Sequence, residues 1–119
     1  MVRLMKKTLD GNVETIILSE LAGGPNYGYA LVREINRKHE GLLALGEGTI
    51  YPVLYRMEGK GLLRTEVRRM PSGRERKYYR IAPKGKRALA DNMLQWAALT
   101  EVMKRIQGDA AESAAVETA

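Results

Sequence analysis

The residues of this chain able to do chemistry with a partner are arginines, lysines and tyrosines, and they are concentrated. Between Arg56 and Arg87 stand 12 Lys/Arg against 3 Glu, a net +9, while the rest of the 119 residues carries −3. A stripe of that sign is the electrostatic footprint of a polyanion such as nucleic acid. The types needed for other chemistry are scarce. Cysteine is absent and His39 is the single histidine. Disulfides, thiolate chemistry, His-rich metal sites and Ser/His/Asp or Cys/His arrangements therefore have almost no material. His39 reads as a residue at a helix C-terminus rather than a metal ligand, and Glu34 and Glu40 nearby do not complete a site. Gly23-Gly24-Pro25 is a turn and not a phosphate loop, because the Lys and Ser/Thr of such a loop are missing. The expectation is a protein that is not an enzyme, with no cofactor and no metal. No apolar run approaches the roughly 18 residues of a membrane span. The opening MVRLMKK is basic but no apolar stretch follows it, so a soluble, cytoplasmic chain with no membrane partner is expected.

Side chains of this kind need elements to hold them. Asn12 to Leu21 reads as a helix whose apolar face is Val13, Ile16, Ile17 and Leu21. Asp10 or Asn12 can cap it, and Gly23-Gly24-Pro25 ends it. A second helix is predicted from about Tyr27 to His39, with Ala30, Leu31, Ile35 and Tyr27 inward and Gly41 as its stop. The third runs from about Glu47 to Lys60. On a helical wheel Ile50, Val53, Leu54 and Met57 share one face, and Gly48, Thr49, Pro52, Tyr55 and Arg56 share the other. Pro52 argues against a start at Glu47, since an interior proline removes a backbone bond; local chemistry alone would start the helix with Thr49 as N-cap.

Beyond Gly61, Leu63, Thr65 and Val67 alternate with Arg64, Glu66 and Arg68, the period of a strand. Pro71-Ser72-Gly73 is a turn, and Lys77 to Ile81 is the returning strand. The hairpin tip, Arg68 to Lys77, is strongly basic. Of Tyr78 and Tyr79, one should face the core and one outward. Pro83 suits the first turn of a fourth helix reaching about Gln107, with Gly108 as its stop. Leu89, Trp96 and Met103 are seven apart, with Met93, Thr100 and Gln107, or Leu99 and Ile106, as a second seam. A long terminal helix with one apolar stripe calls for a partner helix, and pairing with a second copy is favoured over packing back on its own domain. Gly108 to Ala119 is rich in Ala and Glu and reads as disordered.

The order helix, helix, helix, basic hairpin, long helix is that of a winged helix-turn-helix: a mainly α fold with a small β-hairpin. Residues 1–82 are the DNA-binding domain, 83–107 a dimerisation helix and 108–119 a tail. In this architecture the third helix enters the major groove. The small face at Gly48, Thr49 and Pro52 allows close approach to its floor. Tyr55 and Arg56 can reach phosphates or bases, and Tyr51 and Tyr55 can either donate hydroxyls to phosphates or pack against the wing. Arg74, Arg76 and Lys77 can lie along the backbone or in the minor groove.

Four stretches then occur in order: Gly28-Tyr29-Ala30-Leu31, Gly48-Thr49-Ile50-Tyr51-Pro52-Val53-Leu54, Glu58-Gly59-Lys60-Gly61-Leu62 and Gly73-Arg74-Glu75-Arg76-Lys77-Tyr78-Tyr79. Over about residues 9 to 90 they resemble the PadR family of transcriptional regulators, in its short form with one C-terminal helix. The resemblance implies a dimeric repressor that binds a near-palindromic double-stranded operator. It implies that Thr49, Tyr51, Pro52 and Arg56 lie in or beside the groove and that Gly73 to Lys77 form the wing tip. It also implies an earlier start for the third helix, near Gly46, with Pro52 inside it. The chain departs from the family at Ala82, where Thr is usual; Ala cannot cap the following helix, at a cost of roughly 1 kcal/mol. In some short members paired aromatics of the C-terminal helices line a pore for flat compounds. By that likeness Met93, Trp96 and Met103 are candidates to hold an aromatic small-molecule effector, the plainer reading of Trp96 being dimer-helix packing. The readings from another class are a winged-helix protein-interaction module and a non-specific DNA-binding protein.

Overall fold

The computed structural model describes residues 3–118, with side chains to residue 110. Eight elements follow one another: α1 (Lys6–Leu9), α2 (Val13–Ala22), β1 (Asn26–Tyr27), α3 (Gly28–Lys38), α4 (Glu47–Gly59), β2 (Leu63–Arg69), β3 (Glu75–Ile81) and α5 (Pro83–Thr118). The three strands form one antiparallel sheet in the order β1-β3-β2. Residues up to Leu89 make one compact unit and those from Ala90 a second.

The core of the first unit is built from the apolar faces of its helices. α2 buries Val13, Ile17, Leu18 and Leu21. The expected face lacked Leu18; Ile16 is only partly buried and packs at the edge. α2 meets α3, α4 and β3, so its apolar stripe is wider than a one-sided surface helix requires. α3 buries Leu31, Val32 and Ile35, with Val32 rather than Ala30 inward. All four residues assigned to the inner face of the third helix, Ile50, Val53, Leu54 and Met57, are buried in α4.

Three boundaries differ from expectation, and one settles between two readings. Tyr27 is a strand residue, half-buried in β1 and opposite Tyr78 of β3. The basic N-terminal stretch contains α1, whose Leu9 reaches the core. α4 starts at Glu47 behind Gly46, as the helical spacing and the family resemblance have it and not at Thr49 as local capping chemistry alone would; the amides of Thr49 and Ile50 both donate to the Gly46 carbonyl. Pro52 therefore sits inside the helix, where the bond its missing N–H would make is the one to Gly48. The helix tolerates this because Ile50, Val53, Leu54 and Met57 bury one face of it against the core. Finally, α5 continues through Gly108 to Thr118, so the stretch expected to be disordered is helical that far. A mid-helix glycine costs about 1 kcal/mol against Ala but keeps its N–H, and the residues after it are rich in the best helix former.

The α5 start explains how Ala82 replaces a capping Thr. Ala82 is buried, its amide donates to the Leu62 carbonyl, and its own carbonyl accepts from Lys86. One turn on, a Cβ at Gly85 would stand 2.2 Å from the Leu62 carbonyl oxygen. Glycine at 85 is thus what lets the first turn of α5 lie against the entry to β2.

Candidate nucleic-acid interface

The outer face of α4 is the centre of the candidate site. Gly48, Thr49, Pro52, Tyr55 and Arg56 are all exposed, Tyr55 at 77%. Burial of the opposite face sets that orientation, since rotating the helix would expose Leu54 and Ile50. The turn before α4 is clamped by Asn36 of α3. Its amide nitrogen donates to the carbonyls of Val32 (2.8 Å) and Leu45 (2.7 Å), and its oxygen accepts from the Leu45 amide at 2.7 Å. The clamp holds α3 against the segment that launches α4.

Tyr51 lies at the edge of this face, at 39% exposure. Its ring covers the start of α3 so closely that a Cβ at Gly28 would come within 2.6 Å of it. Burial, with the Glu47 carboxylate adding to it, pushes the Tyr51 hydroxyl above its ordinary pKa, so at neutral pH it is a neutral O–H donor. Tyr27, Tyr29, Tyr51, Tyr79, Arg76 and Lys77 line the cleft between α3, α4 and the sheet.

The wing places its charges unequally. Gly73 (φ +85°) makes the turn; its amide donates to the Met70 carbonyl at 2.8 Å, and the Met70 amide to the Arg74 carbonyl at 2.7 Å. Arg74 is exposed at the tip. Strand register divides the rest. Arg64, Glu66, Arg68, Arg76, Tyr78 and Arg80 share the outer face. Thr65, Val67, Lys77 and Tyr79 share the inner one, where Tyr79 is buried and Tyr78 on the opposite face is not. Lys77 reaches Glu58 of α4, Nζ to Oε1 3.1 Å, and the Thr65 hydroxyl donates to the other oxygen of the same carboxylate at 2.7 Å. The Thr65 bond first, then Lys77, holds the Glu58 carboxyl below the usual carboxylate range, and Glu58 in turn raises Lys77. Lys77 thus serves first to lock the wing to α4. Arg76 rests on the Tyr27 ring, its guanidinium carbon 4.3 Å from the ring centre.

Sequence reasoning missed one basic group. Lys6 of α1 lines a second cleft with Thr49, Pro52, Arg56 and Lys60 along the outer face of α4. Lys60 there pairs with Glu14 at 2.9 Å, and among the described residues Lys6 and Arg56 are the cations of the cleft outside ion pairs. The signal was present in Lys6-Lys7, but nothing local says that the N-terminus folds beside the third helix.

Met93, Trp96 and Met103 lie in the second unit on one face of α5, each about half exposed, with Leu99 and Ile106 alongside. The Trp96 carbonyl accepts the Thr100 hydroxyl at 2.9 Å. Among the described residues no group of three or more His, Cys, Asp or Glu is placed to hold a metal ion, and no helix is long and apolar enough to cross a membrane.

Residues 17–91 match the transcriptional regulator PadR-like family. A transcriptional regulator of Mycobacterium tuberculosis is 34% identical over 98 residues, covering 82% of this chain and 85% of the relative. Among solved structures, a transcriptional regulator from Clostridium thermocellum superposes with a TM-score of 0.78 at 29% identity, over 86% of this chain and 96% of that one. A PadR family regulator from Clostridium difficile gives 0.69 at 32% identity, over 79% and 96%.

Proposed function

The chain belongs to the PadR-like family of transcriptional regulators, and we propose that it is a repressor that grips a near-palindromic operator as a homodimer. The observation that carries this reading is the outer face of α4. It is small where it would meet the groove floor (Gly48, Thr49, Pro52), ends in Tyr55 and Arg56, and is flanked by cations from α1 and the wing. Thr49, Pro52 and Arg56 enter the major groove. Tyr51, Tyr55, Arg74, Arg76 and Lys77 serve the phosphates on either side.

The homodimer rests on the face of α5 that carries Met93, Trp96, Leu99, Met103 and Ile106, exposed at 50–55%. Apolar residues repeated at that spacing on a helix surface are the pattern a second helix buries. A two-fold dimer sets two recognition helices about one DNA turn apart or a multiple of it. Release follows if an effector binds one spacing of those helices better than the other. Met93, Trp96 and Met103 supply a flat aromatic and adaptable walls, which suits a planar aromatic compound.

Fluorescence anisotropy of a labelled duplex from upstream of its own gene, against a shuffled duplex at two salt concentrations, tests the reading. Strong preference for the upstream duplex with a steep salt dependence is the expected result. Equal weak binding to both would indicate a non-specific DNA-binding protein, and no binding at low salt a protein-interaction module. Saturable quenching of Trp96 fluorescence by planar aromatics, and not by aliphatic controls, is expected of the effector site.

A further inference from the structure

Two guanidinium groups on the outer face of the sheet are stacked on tyrosine rings, and they differ in what remains free. Arg68 lies 4.1 Å from the centre of the Tyr78 ring and is also bonded to Glu66 beside it. Arg76 lies 4.3 Å from the centre of the Tyr27 ring, and among the described residues it pairs with no carboxylate. The two rings meet edge to face, centres 5.5 Å apart at 60°, so the four side chains form one continuous stack from β2 across β3 to β1. Stacking occupies the flat face of a guanidinium and leaves its in-plane N–H donors open to a partner. Arg76, only partly exposed between two exposed neighbours, is therefore held in place with its donor edge unused. It stands at the rim of the cleft that also contains Tyr51, a neutral hydroxyl donor on the edge of α4.

We propose that Tyr27 is a positioning residue for DNA binding, a ring that fixes the Arg76 guanidinium so that its donor edge meets a backbone phosphate beside the cleft between wing and α4. A planar fork suits the oxygens of a phosphate, and fixing it beforehand removes the ordering cost that a free arginine would meet on binding. Tyr27 does not touch the phosphate; it acts through Arg76. This role rests on the DNA reading above.

The test is a double-substitution cycle in the full chain, read as affinity for the labelled duplex from upstream of its own gene. Tyr27→Phe keeps the ring and should stay within about twofold of the parent, whereas Tyr27→Leu should lose roughly 3- to 10-fold, the scale of one partly desolvated cation–π contact. In an Arg76→Ala background, Tyr27→Leu should cost nothing further. An equal loss in both backgrounds would mean that the ring only supports the fold, and would overturn the proposal. Arg76→Lys reads the same role without altering Tyr27: it keeps the charge, loses the planar fork, and should bind nearly as weakly as Arg76→Ala. Full affinity of Arg76→Lys would also overturn it. If the parent binds and Arg76→Ala binds equally well, only this role fails. If the parent binds neither the upstream nor the shuffled duplex, the DNA reading fails and this role with it.

Discussion

α4 and the wing carry the two halves of the candidate interface and are held by different forces. α4 buries four apolar side chains, and its orientation is set by hydrophobic burial and by the Asn36 clamp before it. The wing hairpin beyond Leu63 has an exposed or half-exposed β2 and a tip with no buried residue. Its base is rooted in the core by Leu63, Tyr79 and Ile81, and beyond them its place is set by polar and aromatic ties: Thr65 and Lys77 to Glu58, Tyr27 to Tyr78, and arginines on both rings. Burial of apolar side chains does not titrate and is not subject to charge screening, whereas ion pairs on a half-exposed surface are sensitive to both salt and pH. In the proposed function the base-reading element is thus the one held mainly by burial, and the phosphate-gripping element the one held largely by polar ties.

Leu54→Ala strikes the half held mainly by burial, at a fully buried residue, and should cost about 2–5 kcal/mol of stability, measured by urea denaturation. A loss below about 1 kcal/mol would mean that α4 is not held by its buried face. Arg56→Ala leaves the core intact. Weakening of upstream-duplex binding by about 1–3 kcal/mol, with a smaller preference over the shuffled duplex, is expected of a base-reading arginine. Equal weakening on both duplexes would reassign Arg56 to the phosphates.

Glu58→Gln probes the tie between the halves. The Glu58 carboxyl is depressed in the folded state, so its contribution is present above the unfolded value of about 4.3 and is lost as pH falls through the folded one. The parent should therefore lose part of its stability on acidification below about pH 4, and Glu58→Gln should flatten that limb while costing less than about 1 kcal/mol at pH 7. An unchanged acid limb would show that Glu58 contributes nothing to it. The smallest effect belongs to Arg74→Ala at the exposed tip. It should lower affinity for the upstream and shuffled duplexes alike and reduce the salt slope by about 1. A loss confined to the upstream duplex would give the wing a part in reading sequence.

Periodicity made most of this architecture legible. The inner face of α4 and the alternation of β2 and β3 follow from spacing alone, because each element has one wet and one dry side. The +9 segment and the hairpin tip are equally local facts. What spacing did not reveal is informative. β1 is two residues long, too short for any period to register. Pro52 argued for a later start of α4, and burial of Ile50, Val53, Leu54 and Met57 outweighed it. Gly108 looked like a stop and is a helix interior.

The sequence by itself determined the kinds and order of the longer elements, the buried face of α4 and the place of the positive charge, since each depends on neighbours within a turn or a strand. Only the tertiary structure decided which charges stay free. Lys77 meets a carboxylate 19 residues away, Lys60 one 46 residues away, and Arg76 a ring on a strand that forms only by pairing with β3. Those partners are chosen by the packing of α1, α2, α3 and the sheet around α4, and no period along the chain encodes a contact between segments that far apart.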